Sequence, residues 1–214
     1  MADYISGDLV KEGDLERVAC LRANPLVEKT VDRPLALQYS DNGWQVKTKY
    51  KNSLRIFKEK QFDELFEDEI WLMFKKMGFE EMNKDCHFKI GQGANQMQID
   101  VFAKDKDHVF IVECKTSEKP TKKDFSKDIR EILYQKKSTV EALMSHYPKQ
   151  EIPRFTFLFV TKNITLPESN YEIVKNNQNK DLYILSDADI AAYKKLTVEF
   201  GDHAKYIMYS ILFQ

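Results

Sequence analysis

Gln98-Ile99-Asp100-Val101-Phe102-Ala103, the tetrad Lys104-Asp105-Lys106-Asp107 and Val109-Phe110-Ile111-Val112-Glu113-Cys114-Lys115 decide how this chain is read. Apolar, β-branched and aromatic residues fill both flanks, and the charged tetrad between them reads as a turn, so the segment is expected to form an antiparallel hairpin. Side chains alternate along a strand, so Glu113 and Lys115 share one face while Cys114 points to the other, into the core. In the right register Asp100 stands beside Glu113. Two carboxylates and a lysine then converge in an apolar sheet. Such a placement costs desolvation energy and calls for a chemical explanation.

Upstream, Phe66, Ile70, Met73, Phe74 and Met77 recur at helical spacing and predict a helix over 62–77, stopped by Gly78. On this helix Glu67 falls among apolar neighbours, three residues before Ile70, four before Trp71 and seven before Phe74. It is the best acid to complete a site with Asp100 and Glu113. Glu69 is second choice, and Asp68 and Glu64 are assigned to the polar side with Lys75. Short strands are expected over 87–90 and 97–103, with Gly91 and Gly93 in the loop between them. A helix follows over about 123–144, with Ile129, Ile132, Leu133, Val140 and Leu143 on its apolar face. Phe155–Val160 and Leu182–Leu185 read as buried strands. Ser186 or Asp187 caps a helix over 190–196. At the N-terminal end, Leu35–Tyr39 and Trp44–Thr48 flank Ser40-Asp41-Asn42-Gly43, which predicts another β-hairpin. The order of elements implies a mixed α/β core. We divide the chain into a β-rich N-terminal extension, 1–58, and a main domain, 59–214.

The 214 residues carry a net charge of −1, which does not advertise nucleic-acid binding. The basic residues are nevertheless clustered. Lys47, Lys49, Lys51, Arg55, Lys58 and Lys60 form one group; Lys115, Lys119, Lys122, Lys123, Lys127 and Arg130 form another, interleaved with acids. Such groups can follow a phosphate backbone or be ordinary solvated surface. The sequence contains no apolar run long enough to span a membrane, so no membrane partner is expected. Cys20, Cys86 and Cys114 are scattered, which disfavours a cysteine zinc site and fits a reduced, cytoplasmic setting. His87, His108, His146 and His203 show no zinc-ligand spacing. Gly91-Gln92-Gly93 lacks the Lys-Ser or Lys-Thr of a phosphate loop, and no nucleophile motif is present. No organic cofactor is expected.

Asp100 and Glu113 are suited to a hard cation such as Mg2+, with Mn2+ as a substitute, because such ions take one or two carboxylates plus water and substrate phosphate. The ion would polarise a phosphoryl oxygen and generate hydroxide from bound water. Lys115 would orient that water or offset charge in the transition state. Taken singly, each of these residues is more ordinary: Glu-x-Lys in a strand is commonly an exposed ion pair.

Together they resemble the PD-(D/E)xK nuclease superfamily, in particular its Mrr-like restriction endonuclease branch. The likeness covers about 62–196. Phe66-Glu67, on a helix that ends at Gly78-Phe79, resembles the family's first acid. Asp100 matches its catalytic aspartate, preceded here by Ile99 and not by proline, and Glu113-Cys114-Lys115 matches its Glu/Gln-x-Lys. Phe159-Val160-Thr161 and Tyr183–Ile190 resemble its last strands and capped helix. The resemblance implies a restriction-endonuclease-like fold, a mixed central sheet flanked by helices. It further implies catalysis by Asp100, Glu113, Lys115 and Glu67, with metal held by Asp100, Glu113, Glu67 and the main-chain carbonyl of Cys114. Gln98 and Gln135 are supporting candidates, Gln135 through likeness to a glutamine often found on the family's next helix. DNA is the implied substrate, with Lys119, Lys122, Lys123 and Lys127 as candidate contacts. A homodimer is expected because cutting both strands needs two sites. The alternative is a nucleic-acid-binding module of the same fold that acts only with a partner or is catalytically silent.

Overall fold

The computed structural model describes residues 5–40, 42–91, 93, 96–144 and 154–213. Asp41, Gln92, His146 and the Leu143 side chain lie outside that description. The strands are β1 (Ile5–Ser6), β2 (Leu9–Lys11), β3 (Leu26–Asp32), β4 (Gln45–Lys49), β5 (Ser53–Glu59), β6 (Glu81–Asn83), β7 (Lys89–Ile90), β8 (Met97–Gln98), β9 (Val101–Lys104), β10 (His108–Lys122), β11 (Arg154–Thr165) and β12 (Leu182–Leu185). The helices are α1 (Glu12–Ala23), α2 (Ala36–Ser40), α3 (Phe62–Lys76), α4 (Ser126–Glu131), α5 (Lys137–Met144), α6 (Glu168–Lys175), α7 (Asp187–Phe200) and α8 (Ala204–Leu212).

The central sheet has the order β12-β11-β10-β9-β6-β2. Its β10, β11 and β12 run parallel, while the β10–β9, β9–β6 and β6–β2 pairs are antiparallel. This is the mixed, helix-flanked sheet expected from the sequence. Period-two alternation splits each strand between two cores. Val101, Ala103, Phe110, Val112, Leu158 and Val160 join α1, α3, α7 and α8 on one face. Phe102, Val109, Ile111, Phe157 and Phe159 pack on the other face with Ile129, Ile132 and Val140 from the helical segment after β10.

Helix α3 is the central support of the first core. Gln61 caps its N-terminus in a reciprocal pair with Glu64. Phe66, Ile70, Trp71, Met73, Phe74 and Met77 are buried, for gross burial on the order of 10 kcal/mol. Gly78 ends the helix at φ +84°, and a Cβ there would sit 2.6 Å from the Cβ of Asp202. Only glycine meets both requirements.

The N-terminal third departs from expectation in two ways. Leu35–Tyr39 is not a strand: residues 33–35 form a 3-10 turn and Ala36–Ser40 a short helix. Pro34 fixes its own φ and offers no N–H to a ladder. The partner of β4 is β5, and β3 takes the other edge of β5, giving a separate three-stranded sheet. Gly43, at φ +76°, closes the chain after α2 rather than turning a hairpin. The division at 58/59 also falls inside β5 and does not follow the packing. Strand β2 is an edge of the central sheet, and Leu15, Val18 and Ala19 of α1 lie in its core.

Candidate functional site

Strand register brings the two key carboxylates together. Val112 pairs with Val101 and Ile111 with Phe102, so the next opposed residues are Glu113 and Asp100. The Cys114 N–H donates to Asp100 Oδ2 at 2.7 Å, which fixes the aspartate against the neighbouring strand. The fully buried Asn83 supports the same turn of chain. Its Nδ2 donates to the Asp100 carbonyl at 3.0 Å, and its Oδ1 accepts from the Phe102 N–H at 2.9 Å. Trp71 of α3 donates to the Asn83 carbonyl at 2.7 Å, linking this clamp to the main core.

Asp100, Glu113 and Lys115 open onto a cleft of about 620 Å³, whose wall also includes Asp63, Glu67, Gln98, Glu131 and Lys136. Lys115 Nζ donates to Glu113 Oε1 at 2.8 Å and lies 3.6 Å from Asp128. Lys136 Nζ donates to Glu113 Oε2 and, at 3.4 Å, to the Gln98 carbonyl. Burial pushes Glu113 up, but Lys136 and Lys115 together hold it below the usual carboxylate value. Burial and the neighbouring Glu113 push Asp100 up to about 6 despite the Cys114 N–H. Glu67 is pushed up to about 8 by burial, then by Asp100 and Asp63. Burial lowers Lys115, but Glu113 more than restores it, so its ammonium is fully charged near neutral pH. Lys115 is thus a cation here and not a base.

Other expected residues are distributed unevenly. Glu69 is tied to Lys162 and Lys194 and does not line the cleft. Asp68 is not on a polar face: it is buried and bridges Arg22 at 2.6 Å and Lys60 at 2.7 Å. Those partners come from α1 and from the residue that follows β5, which helical projection does not see. Gln98 is exposed at the cleft wall, whereas Gln135 is exposed outside it. The predicted long helix is broken into α4, a π-helical turn over Ile132–Lys136 and α5, and the cleft-facing residue of that turn is Lys136. A signal for it was present: Lys136 falls between Ile132 and Val140 on the buried stripe. Asn83 left no such signal. Lys119, Lys122, Lys123 and Lys127 are exposed beyond the cleft, and Lys123 Nζ sits 4.8 Å from the Phe125 ring centroid. In the earlier basic cluster, Lys47 and Arg55 pair with Glu28, and Lys60 with Asp68.

Cys114 packs against the main core, and burial raises its thiol well above the usual value. Among the described residues, no three His, Cys, Asp or Glu side chains are placed to hold a metal ion by themselves. What the cleft offers is a facing pair of hard carboxylates with solvent access. That donor set fits an ion such as Mg2+, whose shell is commonly completed by water and substrate oxygens. No helix among the described residues is long and apolar enough to cross a membrane.

No family model and no curated protein matches the chain. Among solved structures, a protein named VC1899 from Vibrio cholerae aligns at 12% identity and TM-score 0.40, over 90% of this chain and 52% of its own. Can2 from Sulfobacillus thermosulfidooxidans, in complex with cyclic tetra-adenylate, aligns at 12% identity and TM-score 0.37, over 88% and 51%. The MspJI restriction endonuclease, in complex with a 27-mer oligonucleotide, aligns at 11% identity and TM-score 0.24, over 92% and 32%. The chain thus spans about half the length of the first two proteins and about a third of the last.

Proposed function

We propose that this chain is a metal-dependent endonuclease that hydrolyses DNA phosphodiester bonds, in restriction or defence or in DNA processing. The observation that carries the reading is the convergence of Asp100, Glu113 and Lys115 in one open cleft, with the Cys114 N–H fixing the register that joins them. Asp100 and Glu113 would hold Mg2+ or Mn2+, with the Cys114 main-chain carbonyl as a further oxygen and Glu67 as the outer acid. The ion, when bound, polarises the phosphoryl group and activates water. Lys115 places a permanent positive charge beside the reacting phosphate, where it orients water and offsets charge in the transition state. Exposed lysines along the end of β10 and the start of α4 (Lys119, Lys122, Lys123, Lys127) would track the DNA backbone. A homodimer would supply the second site needed for a double-strand break.

The test is a nuclease panel of single-stranded, duplex, branched and base-modified DNA, plus RNA, in Mg2+ or Mn2+, run beside Lys115→Ala. We expect metal-dependent cutting of at least one DNA by the wild type and none by the variant. Equal products from both would sink the reading. One observation favours the alternative, a binding module without activity of its own: both Glu113 carboxylate oxygens are engaged by lysines. Retained DNA binding with no cutting in any metal would decide for it.

A further inference from the structure

Lys136 occupies a position that chain folding alone does not explain. It is 8% exposed, it lies on the apolar stripe between Ile132 and Val140, and it ends a π-helical turn. Burying an ammonium there is strongly unfavourable unless it is paired. A π-turn also gives up ordinary helical geometry, and such turns occur frequently at functional sites. Had the segment needed only packing, an apolar residue at 136 would serve it better. The side chain instead reaches the cleft and takes the Glu113 oxygen that Lys115 leaves free, with a second contact to the Gln98 carbonyl at 3.4 Å.

We infer that Lys136 is a second functional lysine of this cleft, a positioning residue that fixes the Glu113 carboxylate through the oxygen not held by Lys115. The inference rests on the nuclease reading and deepens it. Lys115 and Lys136 arrive from different elements, β10 and the π-turn, so Glu113 is gripped from the sheet and from the helical layer at once. The second ammonium does two opposed things. It competes with a divalent cation for Glu113, which weakens metal binding. It also keeps the carboxylate in one orientation and adds fixed positive charge near the phosphate, which favours cleavage.

Those opposed effects give a signature that a merely structural lysine lacks. Lys136→Gln and Lys136→Arg are compared with wild type in three measurements: thermal melting, calorimetric titration with manganese chloride, and single-turnover cutting of a fluorescent duplex. For Lys136→Gln we expect Mn2+ affinity to tighten about fivefold, since a competing charge is gone. Cutting should nevertheless slow by roughly 100-fold. Lys136→Arg keeps the charge and should recover most of the rate. Loss of melting temperature, metal affinity and rate together would make Lys136 structural and overturn the inference. Unchanged affinity and rate in Lys136→Gln, with an active wild type, would overturn it alone. A wild type that neither binds Mn2+ nor cuts would overturn the nuclease reading, and this inference with it.

Discussion

The β9–β10 hairpin carries a buried aspartate near each end, and the two are treated in opposite ways. Asp100 is 8% exposed and Asp105 6%. Burial pushes both up. At Asp105 that effect is overcome. Tyr209 donates to Oδ2 at 2.6 Å, the N–H groups of His108 and Asp107 donate to Oδ1 at 2.9 and 3.0 Å, and Lys205 lies 3.4 Å away. Its carboxyl is held below the usual value. Asp100 receives the Cys114 N–H but faces a second carboxylate, and rises to about 6. One acid is saturated by the fold. The other is left short of positive charge in an open cleft. Buried acids that serve stability are satisfied by their own chain, while a deficit of this kind marks a place for something from outside.

The largest expected effect separates the two ends by activity. Asp100→Ala and Lys115→Ala should each abolish cleavage, a loss of about 1000-fold or more, with melting within a few degrees of wild type. Asp100→Ala removes a poorly compensated buried acid but leaves the Cys114 N–H unpaired, and the two effects offset, so its melting temperature should change little. A collapse in stability would make Asp100 another structural acid and erase the contrast.

Asp105→Asn should do the reverse. It leaves Lys205, 7% exposed, without its anion, and breaking such a pair costs about 3 kcal/mol. For a chain of 214 residues that is a fall of roughly 6–12 °C. The rate per folded molecule should stay at the wild-type level. A changed rate in the folded fraction would mean that the two ends are coupled.

The contrast was only half visible in the sequence. Alternation made the hairpin and the Asp100–Glu113 pairing legible, because a two-residue period fixes which side chains share a face once the register is set. Helix α3 and the Ser186 cap were legible for the same local reason: spacing and capping residues lie close together in the chain. Asp105 was not, since a Lys-Asp-Lys-Asp tetrad looks like any solvated turn, and its partners Lys205 and Tyr209 sit about a hundred residues away. Asp68 was misplaced because its partners, Arg22 and Lys60, lie outside α3, where helical projection does not reach. Leu35–Tyr39 alternates like a strand, yet β5 had both its edges filled by β3 and β4, so tertiary pairing overrode the local pattern. Lys136 was legible in its spacing, four residues from both Ile132 and Val140, but a lysine on an apolar stripe is readily taken for one whose ammonium reaches solvent.

Glu67 sharpens the comparison through pH. Its folded value, about 8, lies above the unfolded one, so its contribution to stability is fully present below about pH 4.5 and lost as pH rises through about 8. Asp100 acts in the same direction through about 6. In the presence of EDTA, wild type should therefore lose stability between pH 5 and 9 relative to Glu67→Gln. With solvent screening in the open cleft, about 2 kcal/mol is expected at the alkaline end. Parallel melting-temperature curves for the two proteins would show that the cleft carries no such deficit.

The smallest effect probes how completely Asp105 is satisfied. Tyr209→Phe removes one donor from Oδ2 but leaves the Tyr209 ring position, stacked 4.2 Å from His108, available to phenylalanine. Asp105 keeps two backbone N–H groups and Lys205. The loss should be about 1 kcal/mol, or roughly 2–4 °C, with the carboxyl still ionised at neutral pH. Burial also pushes the Tyr209 hydroxyl up, with Asp105 adding to the shift, so it stays a donor through the alkaline range. If Tyr209→Phe costs as much as Asp105→Asn, the aspartate depends on one partner, and redundancy is not what distinguishes it from Asp100.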